Sequence, residues 1–594
     1  MLCTQFLEND REYSDYDDLK KNYKINIPAN FNFAYDVVDR YAKEEPHRRA
    51  LVWCNDDGDE HIYDFAELSL CVNRTANFLK SHGIKKGDAV MLILRRRYEF
   101  WYFILALHKI GAITVPATNL LLQKDIEYRT NAAGIKMIVS FDEPKVQGEI
   151  EKALSASPTV KELVTVGPHR DGWTDFHDEY EKCAVEFERP SGSNATTNED
   201  IMLLYFTSGT SGYPKMVQHN FAYPLGHIVT ARYWQHVVDG GLHLTVAETG
   251  WAKAVWGKLY GQWLAGSAVF AYDMETFVPD KMLQKISQYH VTTFCAPPTV
   301  YRYLIRQDLK KYDLSSLKYA VTAGEALNPE VFNRFLEQTG LEMHEAYGQT
   351  ECTVLIGNFP GMKIKAGSMG KPAPGYNVSI VKEDGTPCKS GETGEIVINL
   401  DNGRPFGLFA GYYHDVSLTA AAFNSGFYHT GDTAYFDDDG YFWFVGRNDD
   451  IIKSSGYRIS PFEVESVLQT HPAVLECAVT GIPDKKRGQL VKATIVLNKG
   501  FTASQALAVE LQEYVKKNTA LYKHPRVIEF VTELPKTISG KIRRVEIRAQ
   551  DQDKPPVESD KTVLGTIKAL LGKEEPKTTG TEVKLPTDNS AGND

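Results

Sequence analysis

The sequence predicts an α/β protein in two folded parts, a large N-terminal domain of several layers and a small α+β C-terminal domain. Two observations carry this expectation. Short apolar runs rich in β-branched residues, AVMLIL (89–94), KMIVS (136–140), IMLLYF (201–206) and VTTFCA (291–296), are separated by helix-sized segments. Strands of that kind are buried on both faces, which is how mostly parallel sheets flanked by helices are built. Near residue 446 the texture then changes to a turn-rich, charged stretch, GRNDDIIKSSGYRISPFEVES.

From there a helix starts at Ser460-Pro461, followed by strands at AVLECAVTGIP (473–483) and KATIVL (492–497), a long helix from Ser504 to Asn518, and a strand at VIEFV (527–531). That order fits a small α+β domain of about 100 residues. The expected division is a large domain over 1–448, a small one over 449–549, and a tail over 550–594. The tail is rich in charge, Pro, Thr and Gly and too poor in apolar residues to fold alone. Within it, TVLGTIKALLGK (562–573) places Val563, Leu564, Ile567, Leu570 and Leu571 on one helical face.

Composition narrows the function. The 66 Lys and Arg against 77 Asp and Glu leave a net charge of −11, which argues against binding nucleic acid or an anionic membrane, since both need a basic face. Eight cysteines (Cys3, Cys54, Cys71, Cys183, Cys295, Cys352, Cys388, Cys477) are scattered without metal-ligand spacing, the usage of buried free thiols in a reducing compartment. The most apolar stretch, Phe100 to Leu107, stops at His108 and Lys109, short of the roughly 20 residues that span a bilayer. The N-terminus lacks a secretion signal. A cytoplasmic protein without a transmembrane segment is expected.

The strongest local signal is IMLLYFTSGTSGYPKMVQH (201–219). An apolar strand runs into Thr207, Ser208, Gly209, Thr210, Ser211 and Gly212, then Lys215. Small hydroxyl residues between glycines let N–H and O–H groups converge on a phosphate, and Lys215 adds positive charge. The spacing is not that of the nucleotide-kinase loop, and Met216 stands where that loop has a magnesium-binding Ser or Thr. In TAGEAL (322–327) and HEAYGQTECT (344–353), Tyr347 can face a purine, Thr350 a phosphate, and Glu351 can offer Mg²⁺ a hard oxygen. FYHTGD (427–432) supplies Asp432 for two ribose hydroxyls, and Arg447 follows about a strand later. LPKTISGKIRR (534–544) adds a Lys-rich turn. Each is weak alone; the combination is not.

In this order, TSGTSGYPK, AGEAL, YGQTE, YHTGD, GRNDDIIKSSGYRI and PKTISGK resemble the adenylate-forming superfamily over roughly residues 30–545. AETGWAKAVWG (247–257), HEAYGQTE and IIKSSGYRISPFEVES look most like its medium-chain and aryl acyl-CoA synthetases. The resemblance implies a β-rich subdomain in the large domain and a mobile small one. It also implies two half-reactions: a carboxylic acid and ATP give acyl-AMP and pyrophosphate, and CoA then displaces AMP. Carried over residue by residue, 207–215 grip the β- and γ-phosphates. Gly324, Glu325, Glu345, Ala346 and Tyr347 frame the adenine, Gly348 and Gln349 belong to the same ATP site, Thr350 touches the α-phosphate, Glu351 holds Mg²⁺, and Asp432 and Arg447 hold the ribose. Lys541 matches the adenylation lysine and Asp449 the hinge.

For CoA, Ser455, Gly456 and Tyr457 match the pantetheine tunnel. Arg458, Arg487, Lys523, His524 and Arg526 are candidates for its phosphates. Acetyl-CoA synthetases carry a bulky Trp in the position of Gly348, so Gly348 argues for a longer or aromatic acid, with Trp251 and the residues around Ala323 lining the pocket. Glu248 departs from the Asp common before Thr-Gly-Trp. A ligase charging another acceptor and an inactive relative kept as a binding protein are the alternatives. The absence of a following carrier domain weighs against the first, and the presence of Lys541, Glu351 and the phosphate loop against the second. A homodimer is compatible with the sequence.

Overall fold

All four apolar runs form strands, Ala89–Ile93, Ile135–Ser140, Ile201–Thr207 and Thr293–Ala296, in a computed structural model that describes residues 1–9, 11–207, 213–536 and 542–552. Contacts divide these residues into a unit over 1–451 and a second beginning at Ile452.

The first unit holds three sheets. An eight-stranded sheet is parallel from Ile201–Thr207 through Thr174–Asp175, with Lys215–Asn220 and Gly411–Tyr412 added antiparallel at one edge. A nine-stranded sheet has a parallel centre that includes Leu242–Thr245, Thr293–Ala296, Tyr319–Ala323 and Met343–Tyr347. The third sheet is antiparallel, built around Gly394–Asn399, Phe427–Phe436 and Phe442–Arg447, and is the β-rich part that the resemblance implies. Open α/β sheets bind ligands beyond the carboxyl ends of their strands. Trp251, Gly324 and Gly348 follow such ends. The apolar stretch 100–107 lies in a helix, Glu99–Ile110, buried along its whole length. Among the described residues no helix is long and apolar enough to cross a membrane.

The second unit is a five-stranded sheet with helices. Ser460 caps the helix Pro461–Leu468 by accepting from the Glu463 N–H, and Ser504 caps Gln505–Asn518 in the same way, satisfying donors that a helix start leaves open. The stretch read only as turn-rich is a hairpin, Ile452–Ser454 against Tyr457–Ile459. Its two turn residues, Ser455 and Gly456, have φ of 51° and 84°, the left-handed pair that a two-residue hairpin turn requires.

A final helix, Arg544–Gln552, runs past residue 550, where the tail was expected to begin. The reason is electrostatic. Lys492 is buried in the sheet, and its ammonium lies 2.7 Å from Asp551 and 2.6 Å from Glu529. Arg544 forms a two-toothed pair with buried Glu465. Burying a charge without its partner costs several kcal/mol. Truncation after Ala549 takes one of the two carboxylates from Lys492 and should lower stability by about 2 kcal/mol, the worth of a hydrogen bond between charged groups, whereas truncation after Gln552 should leave the thermal melt unchanged; equal melts would contradict the role of Asp551. The amphipathic stretch 562–573 lies outside the described residues.

Candidate active site

The phosphate-loop residues Ser208, Gly209, Thr210, Ser211 and Gly212 lie outside the described residues, but their two supports do not. Thr207 and Lys215 pair across the antiparallel strands. The Lys215 ammonium sits 5.2 Å from the centre of the Tyr412 ring and has no carboxylate within salt-bridge range among the described residues, leaving its charge for an anion. Tyr412 donates its hydroxyl to Glu351 Oε1 at 3.1 Å, and the Phe409 N–H donates to the Glu351 carbonyl at 2.7 Å. Burial raises the Glu351 carboxyl's pKa, and Lys215 opposes that shift. A carboxylate that burial disfavours as an anion gains from a cation. Mg²⁺ needs only one or two such carboxylates besides phosphate and water, so the donor set suits an ion that arrives with a nucleotide.

The candidates for adenosine gather on the loop after Met343–Tyr347. Tyr347 donates to Asp432 Oδ2 at 2.6 Å, and Gln349 Nε2 donates to the same oxygen at 2.7 Å. Gln349 is itself held by the Thr430 carbonyl and the Tyr428 hydroxyl. Asp432 stands directly opposite Arg447 in the antiparallel ladder, so one register sets the spacing of the two residues. Gly324 ends the neighbouring strand with φ of 101°, and Ala346 pairs with Ala323. The Glu325 carboxylate is engaged by the Thr299 hydroxyl at 2.6 Å and by Arg302.

Glu345 is buried. One oxygen accepts from the Leu327 N–H at 3.1 Å, the other has no hydrogen-bond partner, and burial pushes its pKa up to about 8. A carboxyl with a raised pKa binds its proton more tightly folded than unfolded, so its contribution is complete below the ordinary carboxylate pKa and lost as pH rises through about 8. The unliganded protein should melt lower at pH 8 than at pH 5.5, with a slope of up to about 1.4 kcal/mol per pH unit from this group. Glu345→Gln should remove that part of the slope in differential scanning fluorimetry; an unchanged slope would count against it.

Beside Gly348 the structure alters an expectation. The room anticipated beside Gly348 is taken by Trp256: a Cβ at 348 would fall 2.3 Å from that ring and 2.7 Å from the Thr353 carbonyl. Trp256 lies on the short helix Lys253–Gly257 and is buried against Trp234. Lys253 donates to the Ala323 carbonyl at 2.5 Å. Trp251 donates to Glu248 Oε2 at 3.1 Å, and Thr118 donates to the same oxygen at 2.8 Å. The Glu at 248 thus anchors the Trp251 turn. The sequence singles out none of Trp256, Lys253 and Tyr412: the first two lie within AETGWAKAVWG, where only Trp251 is given a role, and Tyr412 lies in no quoted motif.

In the second unit, Ser455, Gly456, Tyr457 and Arg458 are all exposed on the hairpin. The Ser455 N–H donates to the Arg487 carbonyl at 2.8 Å, and Arg487 and Arg526 lie close enough that Arg487 helps lower the pKa of Arg526, after burial. Tyr457 stacks on Tyr522 at 4.1 Å between ring centres. Lys523 is paired with Glu463 at 2.9 Å. Asp449 lies just before the chain passes into this unit, 3.6 Å from Arg447 Nε. Lys541 lies outside the described residues.

Parallel sheets with a cation-bearing hairpin and a Thr-Glu pair, beside an opposed Asp-Arg pair on the antiparallel sheet, describe a nucleotide-binding enzyme. The chain belongs to the AMP-binding enzyme family, whose main domain matches residues 38–413 and whose C-terminal domain matches 463–541. It is 41% identical over 552 residues to acyl-coenzyme A synthetase ACSM3, mitochondrial, of Mus musculus, covering 91% of this chain and 94% of that protein. It is 44% identical over 535 residues to ACSM4, mitochondrial, of Rattus norvegicus, covering 88% and 91%. Among solved structures it resembles the anthranilate CoA ligase AuaEII in complex with anthranoyl-AMP, with a TM-score of 0.80, 31% identity, and coverage of 88% and 98%.

Proposed function

We propose that the protein is an AMP-forming acyl-CoA synthetase, an acid–thiol ligase that joins a medium-chain fatty or aromatic carboxylic acid to CoA at the expense of ATP. The observation that carries this reading is the arrangement of Asp432, fixed by Tyr347 and Gln349 opposite Arg447, in the same unit as Thr350, Glu351 and Lys215, which has no salt-bridge partner among the described residues. Relatives named as acyl-CoA synthetases, and a solved one holding an acyl adenylate, support the choice of acid and thiol.

In this reading ATP lies with its β- and γ-phosphates on the Thr207–Lys215 hairpin, its α-phosphate at Thr350, its ribose between Asp432 and Arg447, and its adenine against Tyr347, with Glu345 turned toward it. Glu351 would hold Mg²⁺, which offsets phosphate charge. Trp251, Trp256 and Ala323 would bound the acyl group, and Ser455 to Arg458, Arg487, Arg526 and the Tyr457–Tyr522 pair would meet CoA. Lys541 bridges carboxylate and α-phosphate, and Asp449 is the hinge.

A panel of acids from butyrate to decanoate, with benzoate and phenylacetate, tests the proposal. Acid-dependent ATP–pyrophosphate exchange should appear with at least one of them, followed by CoA-dependent release of AMP. No exchange with any would sink it. A cytoplasmic location is the finer proposal, and relatives whose names place them in mitochondria make the mitochondrion its competitor. Fractionation against mitochondrial markers separates the two.

A further inference from the structure

Two consecutive carbonyls of the site are held from outside their own loop. The carbonyl of Glu351 accepts from the Phe409 N–H at 2.7 Å. That of Thr350 lies 2.9 Å from His219 Nε2. His219 stands on the strand Lys215–Asn220, four residues after the lysine of the phosphate hairpin. The same strand takes the Ala410 N–H on the Gln218 carbonyl and the Tyr413 N–H on the Met216 carbonyl, both at 2.8 Å. With both carbonyls pinned, the peptide planes of 350 and 351 are set, and so are the directions in which the Thr350 hydroxyl and the Glu351 carboxylate leave the backbone.

The chemistry of the ring allows one arrangement. His219 is 1% exposed, and burial keeps it neutral by lowering its pKa to about 3, so it carries a single N–H. Nδ1 has no hydrogen-bond partner, while Nε2 faces an acceptor. The tautomer that meets the Thr350 carbonyl is therefore the one protonated at Nε2. Stacking on Tyr223, with ring centres 3.8 Å apart and planes at 25°, holds the imidazole in that orientation.

We propose that His219 is a positioning residue that ties the phosphate-gripping strand to the Thr350–Glu351 loop, so that α-phosphate and triphosphate contacts are presented in one fixed geometry. The assignment rests on the reading of Thr350 and Glu351 above. It makes no contact with the nucleotide itself; it acts through the Thr350 carbonyl.

The test compares His219→Phe, which keeps a buried ring but has no N–H, with His219→Gln, whose amide restores a donor. AMP affinity by calorimetry should weaken about tenfold or more in H219F and stay within about threefold of the parent in H219Q. In acid-dependent pyrophosphate exchange, H219F should lose kcat about thirtyfold while the KM for the acid stays within about twofold. Unchanged AMP affinity in H219F, or an equal loss in both variants, would overturn the proposal, because a merely space-filling histidine predicts no rescue by Gln. If the parent binds AMP but no acid supports exchange, the synthetase reading fails while the AMP affinities still judge His219. Should H219F not fold, histidine ¹⁵N spectra of the parent decide. The resonance lost in H219Q should report a neutral ring protonated at Nε2, and a proton on Nδ1 would overturn the proposal.

Discussion

Lys541→Ala should reduce acid-dependent ATP–pyrophosphate exchange by about three orders of magnitude while leaving thioester formation from supplied acyl-AMP within about threefold of the parent. The physical ground is charge. A carboxylate and a phosphate about 4 Å apart repel by about 4 kcal/mol at an effective dielectric near 20, and that barrier exists only in the first half-reaction. Once acyl-AMP has formed, the carboxylate charge is gone. The second unit pins the chain on either side of Thr537–Lys541: Lys536 and Ile542 are bridged, and the Arg543 N–H donates to the Pro535 carbonyl at 2.8 Å. Equal loss in both half-reactions would refute the assigned role.

The second large effect concerns Trp256 and Gly348. Trp256→Ala should move the preferred acid toward longer chains, with kcat/KM for decanoate over butyrate rising on the order of a hundredfold, since each accommodated methylene is worth about 1–3 kcal/mol. Gly348→Ala acts the opposite way, because its methyl would lie 2.3 Å from the Trp256 ring and 2.7 Å from the Thr353 carbonyl. It should lose most activity in the parent and regain part of it in the Trp256→Ala background, where only the backbone contact remains. Additive effects of the two changes in a double-mutant cycle would show that the ring and residue 348 are not in contact. An unchanged chain-length profile in Trp256→Ala would show that the ring does not bound the acyl group.

The glycine at 348 shows where reading residues one at a time runs out. Absence of a side chain reads as space, yet the space belongs to whatever packs into it, and Trp256 is 92 residues away in the chain. Glu248 is a similar case. Its departure from the common Asp carries no meaning in a string of letters, while in the fold its Oε2 takes donors from Thr118 and Trp251. The C-terminal boundary missed for a third reason. Residues 544–552 look polar and solvated, and nothing local reveals that Asp551 answers a buried lysine on a strand 59 positions earlier.

The local elements were legible because their causes are local: apolar β-branched runs for the inner strands, Ser460-Pro461 and Ser504 for two helix starts, and motifs whose glycines and hydroxyls announce a phosphate. The family and the order of its motifs therefore followed from the letters, and so did the candidates for the nucleotide site. Only tertiary packing decided how those residues face one another. The Asp432–Arg447 register, the Tyr347 and Gln349 donors on Asp432, Lys215 left without a salt-bridge partner and a Glu345 oxygen left without a hydrogen-bond partner among the described residues, the ring that walls Gly348 and the imidazole that holds Thr350 all depend on side chains brought together across long sequence separations. Their energies depend on burial, which a sequence position does not carry.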